Sequence, residues 1–229
     1  MKRIGLLGGM SWESSALYYQ AINEGVRERL GGLHSADLVM ISLDFDAIER
    51  LQSSGDWELA GDLLAEEAAR LERAGASCVV ICTNTMHKVA DRVQQAIDIP
   101  LLHLADVTAA AVTEAGVRRV ALLGTRFTMR EPFYRERLES HGLDVIVPPE
   151  ETQAVLDGII YDELVLGVVT EASRAVYREA ISELVAAGAE GVILGCTEIE
   201  LLVRPEDSAV PTFPTTTLHA AAAVDVALG

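Results

Sequence analysis

The feature that most constrains this chain is that it partly repeats itself. Ala74-Gly75-Ala76 leads into the apolar run Cys78-Val-Val-Ile-Cys82 and the polar cluster Thr83-Asn84-Thr85. Ala187-Gly188-Ala189 leads into Gly191-Val-Ile-Leu-Gly195 and the cluster Cys196-Thr197-Glu198. Aligned on the two tripeptides without a gap, Cys82 falls opposite Gly195 and Thr83 opposite Cys196. Further upstream, Arg3-Ile-Gly-Leu-Leu-Gly8 matches Arg119-Val-Ala-Leu-Leu-Gly124. Two copies are too few for a solenoid. They imply two similar domains facing each other, with a cleft between them.

A chain of 229 residues fits one large domain or two small ones. The net charge of −17 disfavours binding to a phosphate backbone, so no nucleic-acid partner is expected. It does not exclude an anionic small substrate, because local fields in a cleft can oppose the overall charge. No apolar run approaches the roughly 20 residues needed to span a bilayer. The first strand begins almost at once, without the pattern of a signal peptide. Three cysteines is an odd number, and two lie at or near strand ends. A reduced, cytoplasmic setting is expected rather than a disulfide framework.

Apolar runs of strand length alternate with helix-period segments, which predicts an α/β fold with parallel sheets. The expected domains are 1–104 together with 216–229, and 105–215. Lys2 to Gly8 reads as a buried strand, followed by the turn Gly9-Met10-Ser11. Ser11 is the expected N-cap of a helix running to about Leu30. Two readings of this turn stay open: an anion cradle of backbone N–H groups, or a tight turn without a ligand. Ala36 to Leu43 is the second strand, and Asp44 to Gly55 is expected to be a polar connection holding Arg50 and Gln52. Asp56 caps a helix from Trp57 to about Ala74. Met86 to Ile97 reads as a helix and Pro100 to Leu104 as a short strand. In the second half, Thr125 occupies the turn after the Arg119 strand. A helix is expected from Met129 to Ser140, with Pro132 near its start. Thr170 to Ala187 precedes the Cys196 strand, and a last helix runs from Leu218 to Leu228. In such sheets ligands bind beyond the carboxyl ends of strands, where all the polar clusters lie.

Two acid/base groups on opposite faces of one carbon are what racemisation or epimerisation requires. A Cα–H is a very weak acid, so the carbanion needs donors to its carboxylate and exclusion of water. Asn84, Thr85, Thr125 and Thr197 are candidate donors. Cys196 precedes a helix start expected near Glu198, and a helix N-terminus favours a thiolate. Cys196 is therefore the expected base, and Thr83, a much weaker acid, mainly delivers a proton. Cys82 points into the sheet and is structural. His87 and His103 are expected to pack or to support the site. A zinc site from Cys82, His87 and Cys196 lacks the usual close-spaced pairs. Pyridoxal phosphate needs a Schiff-base lysine, and the only lysines are Lys2, in a strand, and Lys88. A cofactor-free mechanism fits better.

These residues resemble a known family, the cofactor-independent aspartate/glutamate racemases. The motifs that carry the resemblance are Gly8-Gly-Met-Ser-Trp-Glu-Ser14, Cys82-Thr-Asn-Thr-Met-His87, Leu122-Leu-Gly-Thr125, Gly195-Cys-Thr-Glu198 and Thr216-Thr-Leu-His219. The resemblance implies two Rossmann-like domains related by a pseudo-twofold axis, an active site in the interdomain cleft, and assembly as a homodimer. It also implies paired cysteines as acid/base groups. The second maps onto Cys196; the first is replaced by Thr83, as in the subgroup specific for L-aspartate and L-glutamate. Substrate binding by Met10, Ser11, Gln52, Asn84, Thr85 and Thr197 is likewise implied by the resemblance. Pro214 stands where relatives carry Asp, and no Lys lies between Gly158 and Val168. Two other readings compete. One is a related single-thiol carbanion enzyme, a decarboxylase or maleate-type isomerase. The other is a non-catalytic amino-acid-binding protein.

Overall fold

The structure, a computed structural model, describes all residues from Met1 to Gly229. The chain divides into two compact units. The first comprises Met1–Leu104 with His219–Gly229, and the second Ala105–Leu218. The elements of the first unit are β1 (Ile4–Gly8), α1 (Trp12–Leu30), β2 (Leu38–Ser42), α2 (Phe45–Ser54), α3 (Trp57–Arg73), β3 (Cys78–Ile81), a 3-10 turn (Thr85–Val89) and α4 (Ala90–Gln95). Helix α5 (Leu104–Glu114) begins as the chain leaves this unit. The second unit then holds β4 (Arg119–Gly124), α6 (Arg126–Arg130), α7 (Pro132–Ser140), β5 (Asp144–Ile146), α8 (Glu150–Asp162), α9 (Glu171–Ala186), β6 (Gly191–Gly195), α10 (Ile199–Leu202) and β7 (Thr212–Pro214). Helix α11 (Thr215–Leu228) starts there and ends in the first unit.

Both sheets are wholly parallel, in the order β2-β1-β3 in the first unit and β5-β4-β6-β7 in the second. Strands β1, β3, β4 and β6 are almost uniformly buried, which explains their unbroken apolar sequences. In the first unit the side chains alternate between two cores. Leu7, Val79 and Ile81 pack with α2, α3 and α4, whereas Ile4, Leu6, Cys78, Val80 and Cys82 pack with α1 and α11. In the second unit Ala121, Leu123, Val192, Leu194 and Cys196 pack with α8 and α9.

The repeat seen in the sequence is a repeat of hydrogen bonds. Gly75 and Gly188 both take positive φ, 88° and 99°, where a side chain would be strained. Ala76 N–H donates to the Leu71 carbonyl at 3.1 Å, and Ala189 N–H to Leu184 at 3.0 Å. Ser77 N–H donates to the Arg3 carbonyl and Glu190 N–H to the Arg119 carbonyl, both at 2.8 Å. The register follows suit: Ile4 pairs with Cys78 in one sheet and Val120 with Gly191 in the other.

Four expectations need correction. Asp44 to Gly55 is not a polar connection but the helix α2. Asp44 caps it, accepting from Asp46 N–H, and Gly55 ends it in the left-handed conformation. Its polar residues form an outer face, with Asp46 pairing Arg50 and Glu49 accepting from Ser53. Ile48 and Gln52, four residues apart, are buried. Pro100 to Leu104 forms only an isolated bridge between Val79 and Leu101. The Gln94 side chain takes the Leu101 N–H, and α5 begins at Leu104. The helix expected from Met129 to Ser140 is two helices. Thr125 caps α6, and Pro132 starts α7 after an extended Glu131. Met86 to Ile97 likewise divides into the 3-10 turn and α4.

Candidate active site

In the first unit the strand ends gather most of the expected residues. Met10 and Ser11 lie in the β1–α1 turn and are buried. Ser11 Oγ caps α1, accepting from Ser14 N–H at 3.2 Å. Gly9 has φ 85°, and a Cβ there would lie 2.2 Å from the Leu43 backbone, so only glycine fits this turn. Its N–H donates to Ser15 Oγ at 2.7 Å. Strand β3 ends at Ile81, and Cys82 N–H continues the ladder to the Leu7 carbonyl at 2.9 Å. The Cys82 carbonyl accepts from Ser14 Oγ at 2.8 Å, which ties the start of α1 to the end of β3. Thr83 is the next residue and is half-buried; Asn84 and Thr85 are buried. Gln52 enters from α2, its amide donating to the Met86 sulfur at 3.0 Å. The Cys82 thiol lies inside the core, where burial pushes its pKa far up.

In the second unit β4 and β6 run so close that a Cβ on Gly124 would lie 2.8 Å from the Gly195 carbonyl. A Cβ on Gly195 would lie 2.8 Å from the Leu123 carbonyl. Thr125 caps α6, accepting from Thr128 N–H at 3.3 Å. Cys196 follows the end of β6 directly, as Thr83 follows Cys82. Because the registers of the two sheets match, Thr83 and Cys196 hold equivalent positions in their units. Thr197 Oγ1 accepts from Thr216 Oγ1 at 3.1 Å, and Thr215 Oγ1 donates to the Leu194 carbonyl at 2.8 Å. The first turn of α11 is thereby fastened to the end of β6.

The thiol itself departs from expectation. Cys196 is buried, and its sulfur donates to Glu198 Oε2 at 3.0 Å. The helix that follows, α10, has only four residues and starts at Ile199. Burial raises the Cys196 pKa well above the ordinary thiol value, and the Glu198 carboxylate raises it further. Backbone N–H groups of Glu198 and Ile199 pull the other way but do not prevail. Burial and the neighbouring Glu198 thus favour the thiol over the thiolate. A thiolate ready-made by a helix terminus is not what the fold supplies.

Glu198 is thus a residue whose part the sequence reading missed, although its motif was in view. An acceptor two residues beyond the thiol carries no periodic signal, since this pairing is made by a turn. Glu200 was missed as well. It accepts from Thr216 N–H at 2.6 Å and from Thr217 Oγ1 at 3.1 Å, and burial raises its pKa to about 7. No group of three or more His, Cys, Asp or Glu side chains is placed to hold a metal ion. No helix is long and apolar enough to cross a membrane.

Two repeated parallel α/β units, each placing a proton-bearing side chain just past the strand that pairs with its first strand, define a two-domain α/β protein with matched strand ends. The model of the Asp/Glu/Hydantoin racemase family matches residues 7–223, and the chain belongs to that family. A candidate Asp/Glu racemase from Yersinia pestis is 52% identical with a TM-score of 0.94, each chain covered in full. An aspartate racemase homologue from Pyrococcus horikoshii is 35% identical with a TM-score of 0.88, again over the whole of both chains. A broad-specificity amino-acid racemase from Bacillus subtilis is 21% identical over 213 residues, 91% of this chain and 90% of the relative.

Proposed function

We propose that the protein inverts the Cα centre of acidic amino acids, converting L-aspartate or L-glutamate to the D form without a cofactor. The observation that carries this reading is the matched position of Thr83 and Cys196. Each lies just past the strand that pairs with the first strand of its unit, in a chain of the Asp/Glu/hydantoin racemase family. Acidic substrates are favoured by the likeness to the Pyrococcus aspartate racemase homologue, which extends over the full chain.

In this reading Cys196 and Thr83 serve opposite faces of one Cα. The Cys196 thiol passes its proton to Glu198, which releases it to solvent before the next turnover, and the thiolate so formed takes the Cα proton. The carbanion is held by donors to its carboxylate from the strand-end turns, among them Met10 and Ser11 backbone N–H groups, Asn84, Thr85, Thr125 and Thr197. Thr83 delivers a proton from the other side and draws a replacement from solvent, to which its half-buried position gives access. Such proton transfers each contribute on the order of 10²–10⁴ in rate. The dyad is asymmetric, so the L-to-D direction begins at the better base. Gln52, buried on α2, shapes the side-chain end of the binding region.

The test is solvent deuterium entering Cα of L-aspartate or L-glutamate, followed by NMR. The wild-type protein should exchange and Cys196→Ala should not. Equal exchange in both removes the reading. Turnover of maleate or a malonate without amino-acid exchange selects a single-thiol carbanion enzyme instead, and tight amino-acid binding without exchange selects a sensor.

A further inference from the structure

The proposed chemistry leaves unused a cluster in the first unit, formed by the buried Tyr18, His87 and His219 with the partly buried His103. His87 is 3% exposed and His219 fully buried. The His87 ring lies edge-on to both other imidazoles, with centroids 4.9 Å from His103 and 5.7 Å from His219. Each of the two buried histidines has both ring nitrogens committed. His219 Nε2 donates to the Leu102 carbonyl at 2.8 Å, and its Nδ1 accepts from Tyr18 Oη at 2.9 Å. His87 Nε2 faces the backbone N–H of Leu104 at 3.2 Å, which can only donate. Nε2 is therefore the acceptor and the proton sits on Nδ1, which donates to the Thr83 carbonyl at 2.8 Å. Burial, reinforced by His103 and His219, pushes the His87 pKa well below its ordinary value, so the ring stays neutral and this arrangement persists.

The consequence falls on Thr83. The sheet's hydrogen-bonded ladder holds the main chain only as far as Cys82 N–H. Beyond it, the peptide that leaves Thr83 is held by the His87 ring. Turning that peptide plane turns the Cα–Cβ bond and moves the hydroxyl. The ring's other nitrogen grips the first amide of α5, one of the four N–H groups that a helix start leaves without an intrahelical partner. One side chain thereby spans from the end of β3 to the start of α5.

We propose that His87 is a positioning residue for Thr83, clamping its carbonyl against the first amide of α5 and so aiming its hydroxyl at the substrate carbon. This rests on the racemase reading above. The clamp acts on the Thr83 side of the reaction and leaves the Cys196 side alone, which is what separates it from a merely structural role. Misplacing a reacting group by about 1 Å costs roughly 10²-fold.

The experiment compares Cα deuterium exchange with inversion, measured on the same L-amino acid, for two variants. In His87→Asn the amide nitrogen takes the place of Nδ1 and keeps the bond to Thr83. In His87→Gln the amide oxygen reaches Leu104 N–H and the Thr83 bond is lost. Inversion by His87→Gln should fall roughly 10²-fold with exchange changed by less than about threefold. His87→Asn should recover most of the inversion. Exchange and inversion falling in parallel, or Gln rescuing better than Asn, overturns the assignment. A wild-type protein with no Cα exchange removes the racemase reading and this inference with it. The wild type also gives a test that needs no variant. Long-range 15N–1H spectra of histidine-labelled protein should show His87 as the neutral Nδ1–H tautomer at neutral pH, and an Nε2–H or charged ring overturns the clamp.

Discussion

The ends of β3 and β6 are the same structure carrying different chemistry. Both follow an Ala-Gly-Ala turn with positive φ at its glycine, both pair in parallel with the first strand of their unit, and both put a proton-bearing side chain at the matched position. At the β6 end that group is a thiol, buried, its proton already directed at a carboxylate two residues on. At the β3 end it is an alcohol, half-buried, with its main chain steadied by an imidazole. The backbone has been kept where the proton chemistry has diverged. On the racemase reading proposed above, the thiol end takes a proton, and Glu198 receives the one it must first lose. On the same reading the alcohol end gives one, and the duplicated frame supplies two groups of opposite aptitude.

The sharpest way to break this comparison is at the thiol. Cys196→Ala should lower Cα exchange from the L-amino acid by on the order of 10³-fold or more, read by deuterium incorporation. Residual exchange within tenfold of wild type would mean that another base operates. Next comes the alcohol. Thr83→Ala should lower inversion by about 10²-fold while exchange from the L side stays within about tenfold. Equal loss of both would make the two ends functionally alike and sink the division of labour. At the level of packing, Gly195→Ala should destabilise by about 3 kcal/mol, at the upper end of overpacking costs. Its Cβ would press on the carbonyl of a paired strand, 2.8 Å away, which cannot move aside. Denaturant unfolding gives the figure, and a neutral result would show that β4 and β6 can separate freely.

The smallest expected effect is a pH dependence at the β6 end. Glu200 has its pKa raised from 4.5 to about 7, chiefly by burial. Between these values the folded protein binds more protons than the unfolded chain. Glu200 therefore contributes stability that is full below about pH 4.5 and is lost as pH rises toward 7. His219 acts in the opposite sense. Its pKa is lowered to about 4, so its contribution is full above 6.5 and is lost as pH falls. The two slopes oppose each other over the shared window. Glu200→Gln should remove the falling one, leaving stability that increases with pH by about 1–2 kcal/mol more than in wild type, allowing for partial exposure of the carboxylate. An unchanged slope in denaturant midpoints from pH 5 to 7 would show that Glu200 titrates as it would in water.

How much of this was legible beforehand differs between frame and site. The repeat, the buried strands and the correspondence of Thr83 with Cys196 were readable because ladder registers and turn glycines impose themselves on sequence. Helix α2 was not, because its outer face is rich in Asp, Glu, Arg and Ser while only Phe45, Ile48, Leu51 and Gln52 turn inward. The short segment before α5 was misread for a different reason, since a side-chain amide, Gln94, takes over ladder bonds that an apolar run would lead one to expect. The state of Cys196 was misjudged because desolvation outweighed the backbone N–H groups beside it, a balance that spacing does not encode. The roles of Glu198 and His87 likewise depend on where a turn and a ring come to rest.

The tight passage between β4 and β6 has a bearing on the ancestry of the two halves. At position 195 only hydrogen fits beside the Leu123 carbonyl, so the thiol that unit one keeps at Cys82 has no possible counterpart there. The matched positions 82 and 195 therefore could not drift alike, and a thiol at this strand end was open to one copy alone.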